Sequence, residues 1–158
     1  LAVGSVTIRP VEARDADAWA AMRVLLWPEV EPGDLLRETR EFVTGVALPA
    51  VAAAFIAEDE GLLGFIEIAV RAFSDGCDSM PVPHVEGWYV EPRARGRGAG
   101  RGLMRAAESW ARSRGFSELA SDTEVHNDAS QRAHEACGFE EVDRLVKFRK
   151  VLRDERPS

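Results

Sequence analysis

The chain has 158 residues, 46% of them hydrophobic and 30% charged, which is the size and balance of one globular domain spanning residues 1–158. No apolar run approaches the roughly 20 residues that cross a bilayer, so a soluble chain with no membrane partner is expected. A net charge of −7, from 27 acidic against 20 basic residues, argues against a nucleic-acid partner, whose phosphates need neutralising, and would steer cationic small molecules inwards.

The opening Val6–Pro10 is rich in β-branched residues and ends at a proline, so it predicts a strand, and Asp15 then stands where an N-cap would start a helix over Ala16–Leu26. Asp34 is the expected cap of a second helix that runs through Val43. The apolar runs Ala53–Ala57 and Leu62–Val70 flank the turn Glu58-Asp59-Glu60-Gly61 and predict an antiparallel hairpin. The stretch from Arg71 to Pro83 reads as a long loop, and His84–Val90 as the next strand. A glycine-rich turn, Arg93 to Gly98, then leads into a helix over Ala99–Ser113. Ser117–Thr123 is expected to be a short strand, Asn127 or Asp128 to cap a helix reaching Cys137, and Phe139–Leu152 to return as a strand. The order is a mixed α/β (α+β) pattern, with hairpins in the first half and crossovers in the second. Leu1–Thr7 has neither the basic segment nor the apolar core of a secretory signal. Cys77 and Cys137 have no metal-ligand spacing and read as structural thiols in a reducing cytoplasm. His84 and His126 likewise show no ligand spacing, and no metal site is expected.

Arg95-Gly96-Arg97-Gly98-Ala99-Gly100 lies between a predicted strand and a predicted helix. Glycines there let backbone N–H groups close around a phosphate, the helix dipole favours negative charge, and the arginines add positive charge to an acidic chain. A pyrophosphate is the expected ligand. A nucleoside-triphosphate loop would need a lysine followed by Ser or Thr, which is absent, and a dinucleotide fold would place its glycines after the first strand.

Arg95-x-x-Gly98-x-Gly100 resembles the Q/R-x-x-G-x-G/A pyrophosphate loop of the GNAT acetyltransferases, and Gly87-Trp88-Tyr89-Val90-Glu91-Pro92 is similar to the strand that leads into it. Asn127-x-x-Ser130-x-x-x-His134-x-x-x-Gly138-Phe139 is similar to a second segment of that superfamily. A narrower resemblance, to the aminoglycoside 6'-N-acetyltransferases, is carried by Leu26-Trp27-Pro28, Asp75-Gly76-Cys77-Asp78-Ser79, Val85-Glu86-Gly87, Ala120-Ser121-Asp122, Gly138-Phe139-Glu140-Glu141 and Phe148-Arg149-Lys150. The resemblance implies a mostly antiparallel sheet flanked by about four helices, acetyl-CoA as acetyl donor, and a homodimer. It places Trp27, Phe73, Glu86, Asp122 and Asp143 around a cationic aminoglycoside or other primary amine. It also places Trp88, Tyr89, Val90, Asn127 and the loop Arg95, Gly96, Arg97, Gly98, Ala99 and Gly100 along acetyl-CoA. Phe73 stands where a tyrosine is common in the family, which removes a hydroxyl.

Acetyl transfer needs a neutral amine, a polarised thioester carbonyl and a place for the proton. Glu86 is the candidate base. Backbone N–H groups at Trp88 or Val90 are candidates for holding the thioester oxygen. His134 replaces the superfamily's tyrosine and is the candidate acid for the departing thiolate, with a helix-packing histidine as the alternative. Other readings at this level are transfer to a polyamine, a protein N-terminus or a lysine, and an inactive acetyl-CoA sensor.

Overall fold

Residues 5–154 are described by a computed structural model. The strands are β1 Thr7–Pro10, β2 Ala53–Glu58, β3 Leu62–Arg71, β4 Val82–Val90 and β5 Ala120–Ser121. The helices are α1 Ala16–Leu26, α2 Pro32–Val43, α3 Ala99–Ser113 and α4 Asp128–Ala136. The strands form one sheet in the order β1-β2-β3-β4-β5, antiparallel except for the parallel pair β4–β5, whose connection is α3.

Alternation along the inner strands assigns a helical layer to each face of the sheet. Ala53 and Ala57 of β2, with Ile66 and Ile68 of β3, pack under Leu103, Met104 and Ala107 of α3. Ala54 and Ile56 of β2, with Phe65 of β3, pack under Trp19 and Met22 of α1. Both faces of β3 are covered, which is why Leu62–Arg71 reads as a continuous apolar run in which Glu67 is the one fully buried acid.

Four expectations are corrected. Asp15 does not cap α1 with its side chain; its carboxylate accepts from the Glu12 N–H at 2.7 Å and from both terminal nitrogens of Arg9, in a short 3-10 turn before the helix. Asp34 lies inside the first turn of α2, which starts at Pro32, where the missing N–H costs nothing. Phe139–Leu152 is not a strand in this chain, although its apolar pattern is real. Among the described residues no neighbouring strand pairs with it, so Val142, Leu145, Val146, Phe148, Val151 and Leu152 are all exposed. The strand expected over Ser117–Thr123 contracts to Ala120–Ser121 for a similar reason, since β5 meets β4 only at His84 and Val85.

Candidate active site

The site is built where β4 loses its regular pairing. Glu67 pairs with Gly87 and Ile68 with Val85, so Glu86 is the extra residue of a β-bulge. Bulges re-aim side chains, and this one leaves Glu86 about one quarter exposed, with Arg71 Nε donating to Oε1 at 2.7 Å and Nη2 to Oε2 at 2.8 Å. Trp27, the residue that ends α1, lies over the next residue of the strand: a Cβ added to Gly87 would stand 2.8 Å from Trp27 Cη2. Glycine in mid-strand therefore marks the close approach of an aromatic ring. The Trp27 ring is also covered by the Arg23 guanidinium, 5.2 Å from its centroid, which is fixed in turn by Glu67 at 2.6 Å.

Asp122 follows β5 directly, and its Oδ2 lies 3.5 Å from Nε2 of the buried His84 on β4. That imidazole holds the Asp122 carboxyl below its usual range, against a smaller upward push from burial, with Arg71 and Lys147 adding to the depression. Trp27, Glu86 and Asp122 thus all lie along the middle of β4, at residues 84–87. Phe73 is on the exposed loop after β3. Asp143 is exposed on the segment after α4, where it accepts from the Arg144 N–H at 2.7 Å. Val142 beside it touches the loop, since a Cβ on Gly76 would lie 2.3 Å from Val142 Cγ2. The segment therefore runs past the same loop that carries Phe73.

The cofactor side starts where β4 and β5 part. Among the described residues, β5 covers only His84 and Val85, so β4 from Glu86 onwards has one open edge. The Glu91 N–H donates to the Leu63 carbonyl at 2.7 Å; by the two-residue alternation of an antiparallel ladder, Tyr89 also bonds towards β3 while Trp88 and Val90 turn their polar groups to the open edge. Arg95 Nε reaching the Val90 carbonyl at 3.4 Å agrees with that orientation. The Tyr89 ring packs on Phe65. The turn beyond is set by Gly96 at φ 80° and Gly98 at φ 83°, a left-handed geometry that strains other L-residues, and Gly98 is the N-cap of α3. Ala99 is buried at the helix start, and Gly100 offers its carbonyl to Trp88 Nε1 at 3.0 Å. Arg97 pairs with Asp59. A cleft of about 560 Å³ opens between this turn and β1, lined by Val6, Ile8, Gly96, Arg97, Gly98 and Gly102. An open strand edge aimed at a helix N-terminus with no acidic residue in its first turn is a receptacle for an extended chain ending in phosphates.

The model of the acetyltransferase (GNAT) family matches residues 17–139. The chain belongs to that family. It is 46% identical over 149 residues to an aminoglycoside N(6')-acetyltransferase type 1 of Klebsiella aerogenes, covering 94% of this chain and 98% of the relative. A relative of the same name from Stenotrophomonas maltophilia is 41% identical over 92% of this chain and 94% of its own length. The solved structure of AAC(6')-Iy in complex with the bisubstrate analogue CoA-S-monomethyl-acetylneamine superposes with a TM-score of 0.83 at 34% identity, covering 93% of this chain and 99% of that one.

In this GNAT chain Asn127 caps α4, its side chain accepting from the Ser130 N–H at 3.0 Å. His134 stands on α4 between Trp88 and Phe139, edge-on to both with centroids 5.2 Å away. Its Nδ1 meets the Ser130 carbonyl at 2.7 Å, and a carbonyl only accepts, so Nδ1 carries a proton; in the neutral ring Nε2 accepts from the Ser121 hydroxyl, also at 2.7 Å. Arg71, His84 and Ser121 were not singled out for the site by sequence reasoning. His84 carried a usable signal, since it precedes Glu86 by two residues in a predicted strand. No group of three or more His, Cys, Asp or Glu among the described residues is arranged to hold a metal.

Proposed function

We propose that the chain transfers the acetyl group of acetyl-CoA to the 6'-amino group of aminoglycoside antibiotics and so confers resistance to them. The observation that carries this reading is the pair of carboxylates, Glu86 at the bulge and Asp122 across from it, set beside Trp27 at the mouth of an open strand edge. Aminoglycosides are polycations. Carboxylates hold ammonium groups with charge-assisted bonds, and an aromatic ring covers an apolar or cationic face. Phe73 and Asp143 complete the acceptor pocket from the loop and from the passing C-terminal segment.

Acetyl-CoA lies with its pantetheine arm along the Trp88–Val90 edge and its pyrophosphate over Arg95, Gly96, Arg97, Gly98, Ala99 and Gly100, with Asn127 beside it. Backbone N–H groups at Trp88 or Val90 polarise the thioester carbonyl. Glu86 accepts the amine proton, the nitrogen attacks the carbonyl carbon, and the carbon–sulfur bond breaks. The thiolate is a good leaving group, so water supplies its proton, and His134, whose Nε2 is an acceptor, holds Ser121 and Trp88 in place.

A thiol-release assay with kanamycin, tobramycin, spermidine and a lysine peptide tests the reading. Turnover with the aminoglycosides well above the others is expected; release with the peptide but none with kanamycin would overturn the choice of acceptor.

We place the enzyme in the cytoplasm, with its acetyl donor and with Cys77 and Cys137 free. We also propose a homodimer. Support comes from the run of exposed apolar residues between Val142 and Leu152, where Phe148 is 92% exposed. Sedimentation equilibrium is expected to give a dimer, and a chain that stays monomeric at micromolar concentration would refute it.

A further inference from the structure

Between Glu86 and Asp122 lies a buried imidazole that the reading above does not use. His84 is 2% exposed, and its sheet neighbours Ala69 on β3 and Ala120 on β5 are small enough to leave the ring room between them. Nδ1 faces Glu86 Oε1 at 3.5 Å and has no hydrogen-bond partner, while Nε2 faces Asp122 Oδ2 at 3.5 Å. An orphaned polar atom at this depth costs free energy unless some state of the site satisfies it. Two states do so, Glu86 carrying a proton that it donates to Nδ1 and an imidazolium whose Nδ1–H donates to Glu86, and they differ only by the position of one proton. Glu86 is partly open to the acceptor pocket, and the Asp122 side chain is 70% exposed, so carboxylate, imidazole and carboxylate form a row from the reacting amine to bulk water.

We propose that His84 is a proton-relay residue, acting through Glu86, which carries the proton shed by the amine out to Asp122. The inference rests on Glu86 being the acceptor of that proton. The N–H bond of the amine breaks as the O–H bond of Glu86 forms; that O–H then breaks as Nδ1–H forms. The imidazolium sits between two anionic carboxylates. Its Nε2–H next breaks as an O–H forms on Asp122, and Asp122 releases the proton to water. The relay thus clears the amine's proton while acceptor and product fill the pocket; once the pocket opens, Nε2 regains a proton from water through Asp122 and Nδ1 gives one to water through Glu86, which restores the starting tautomer. The other charges facing the row are Arg71, which clamps Glu86 and also lowers Asp122, and Lys147, which acts on Asp122. Arg71 favours departure of the proton from Glu86, and both cations favour its release from Asp122 to water. The 3.5 Å separations are of the kind that shorten when substrate fills a site.

His84→Phe keeps a flat ring without a proton carrier, and His84→Gln keeps hydrogen bonding without relay. Both should lower kcat with kanamycin by about tenfold to a hundredfold, leave the KM for acetyl-CoA unchanged, flatten the pH profile, and recover rate as imidazole buffer is raised. Wild type should be insensitive to buffer concentration. Folded variants with the wild-type kcat and pH profile would overturn the relay. So would a loss that imidazole does not restore, or a Gln variant as fast as wild type, since hydrogen bonding alone would then suffice. If the Phe variant does not fold, the Gln variant decides. Glu86→Gln is measured in parallel: full turnover there removes the base itself, whereas its loss beside unaffected His84 variants removes the relay alone.

Discussion

Glu67 and Glu86 lie on neighbouring strands, one residue apart in register, and an arginine holds each, yet their surroundings are opposite. Glu67 and Arg23 are sealed under α1, with Trp19 Nε1 donating to the same carboxylate at 2.9 Å. Burial pushes the Glu67 carboxyl up, and Arg23 and the indole pull against it. Glu86 and Arg71 meet at the rim, where both are partly open to water. One pair of charge types therefore does two jobs. Closed from water it is a strut that fixes the Arg23 face under Trp27; open to water it takes, on the proposed reading, the task of handling charge and protons. The bulge separates them, because it places Glu86 out of step with the covered face.

The comparison breaks first on stability. Arg23→Met leaves Glu67 buried without its counter-charge and should cost about 3–5 kcal/mol, read by urea denaturation. Arg71→Met at the rim should cost less than about 1 kcal/mol. Equal losses would show the two pairs to be alike. The sign of the pH dependence sharpens the contrast: with Arg23 gone, the Glu67 carboxyl in the fold lies well above its unfolded value, so folding is favoured while the group is protonated and penalised as pH rises. The deficit of Arg23→Met should shrink as pH is lowered towards about 4.

On activity the order reverses. Glu86→Gln should lower kcat by about a hundredfold through loss of the base while leaving thermal stability near that of wild type. Arg23→Met, where still folded, should raise the acceptor KM through a loosened Trp27 and leave kcat less affected. Asp122→Asn should weaken kanamycin binding by roughly 1.5–3 kcal/mol, about ten- to a hundredfold, and leave acetyl-CoA affinity unchanged. Steady-state kinetics in both substrates checks all three.

Most of the fold was legible because it is written in local patterns. The glycine-rich turn declared the start of α3, and the runs Ala53–Ala57 and Leu62–Val70 declared a hairpin, whereas the positive φ of Gly96 and Gly98 and the cover on both faces of β3 came from the structure. Asp15 and Asp34 misled because a capping residue type says nothing of what else competes for it. Arg9 takes the first, and Pro32 starts the helix before the second. Phe139–Leu152 has the composition of a strand, but a strand needs a partner, and partners are not encoded locally. The same limit hid the inner workings of the site. Glu86 could be named from its motif. Its place as the extra residue of a bulge depends on register with β3, and its contact with Arg71 spans 15 positions. Gly87 was a clue that only the position of Trp27 explains.

The smallest expected effect concerns Asp122 as a structural group rather than as a binding one. His84 holds its carboxyl below the ordinary aspartate range, so the contact stabilises the fold above the unfolded value of about 3.9 and the contribution fades as pH falls through the lower folded value. The side chain is 70% exposed, so solvent screening reduces the contribution to that of a surface pair, about 0.2–1 kcal/mol. For a chain of this size that is a melting-temperature gap between wild type and Asp122→Asn of at most about 4 °C near neutral pH. The gap should narrow as the pH approaches about 3. A gap much larger than this, or one that widens on acidification, would mean that Asp122 is a strut like Glu67. A small, acid-sensitive gap beside a large loss in kanamycin binding would place it with Glu86 at the open rim, where charge is held for the substrate.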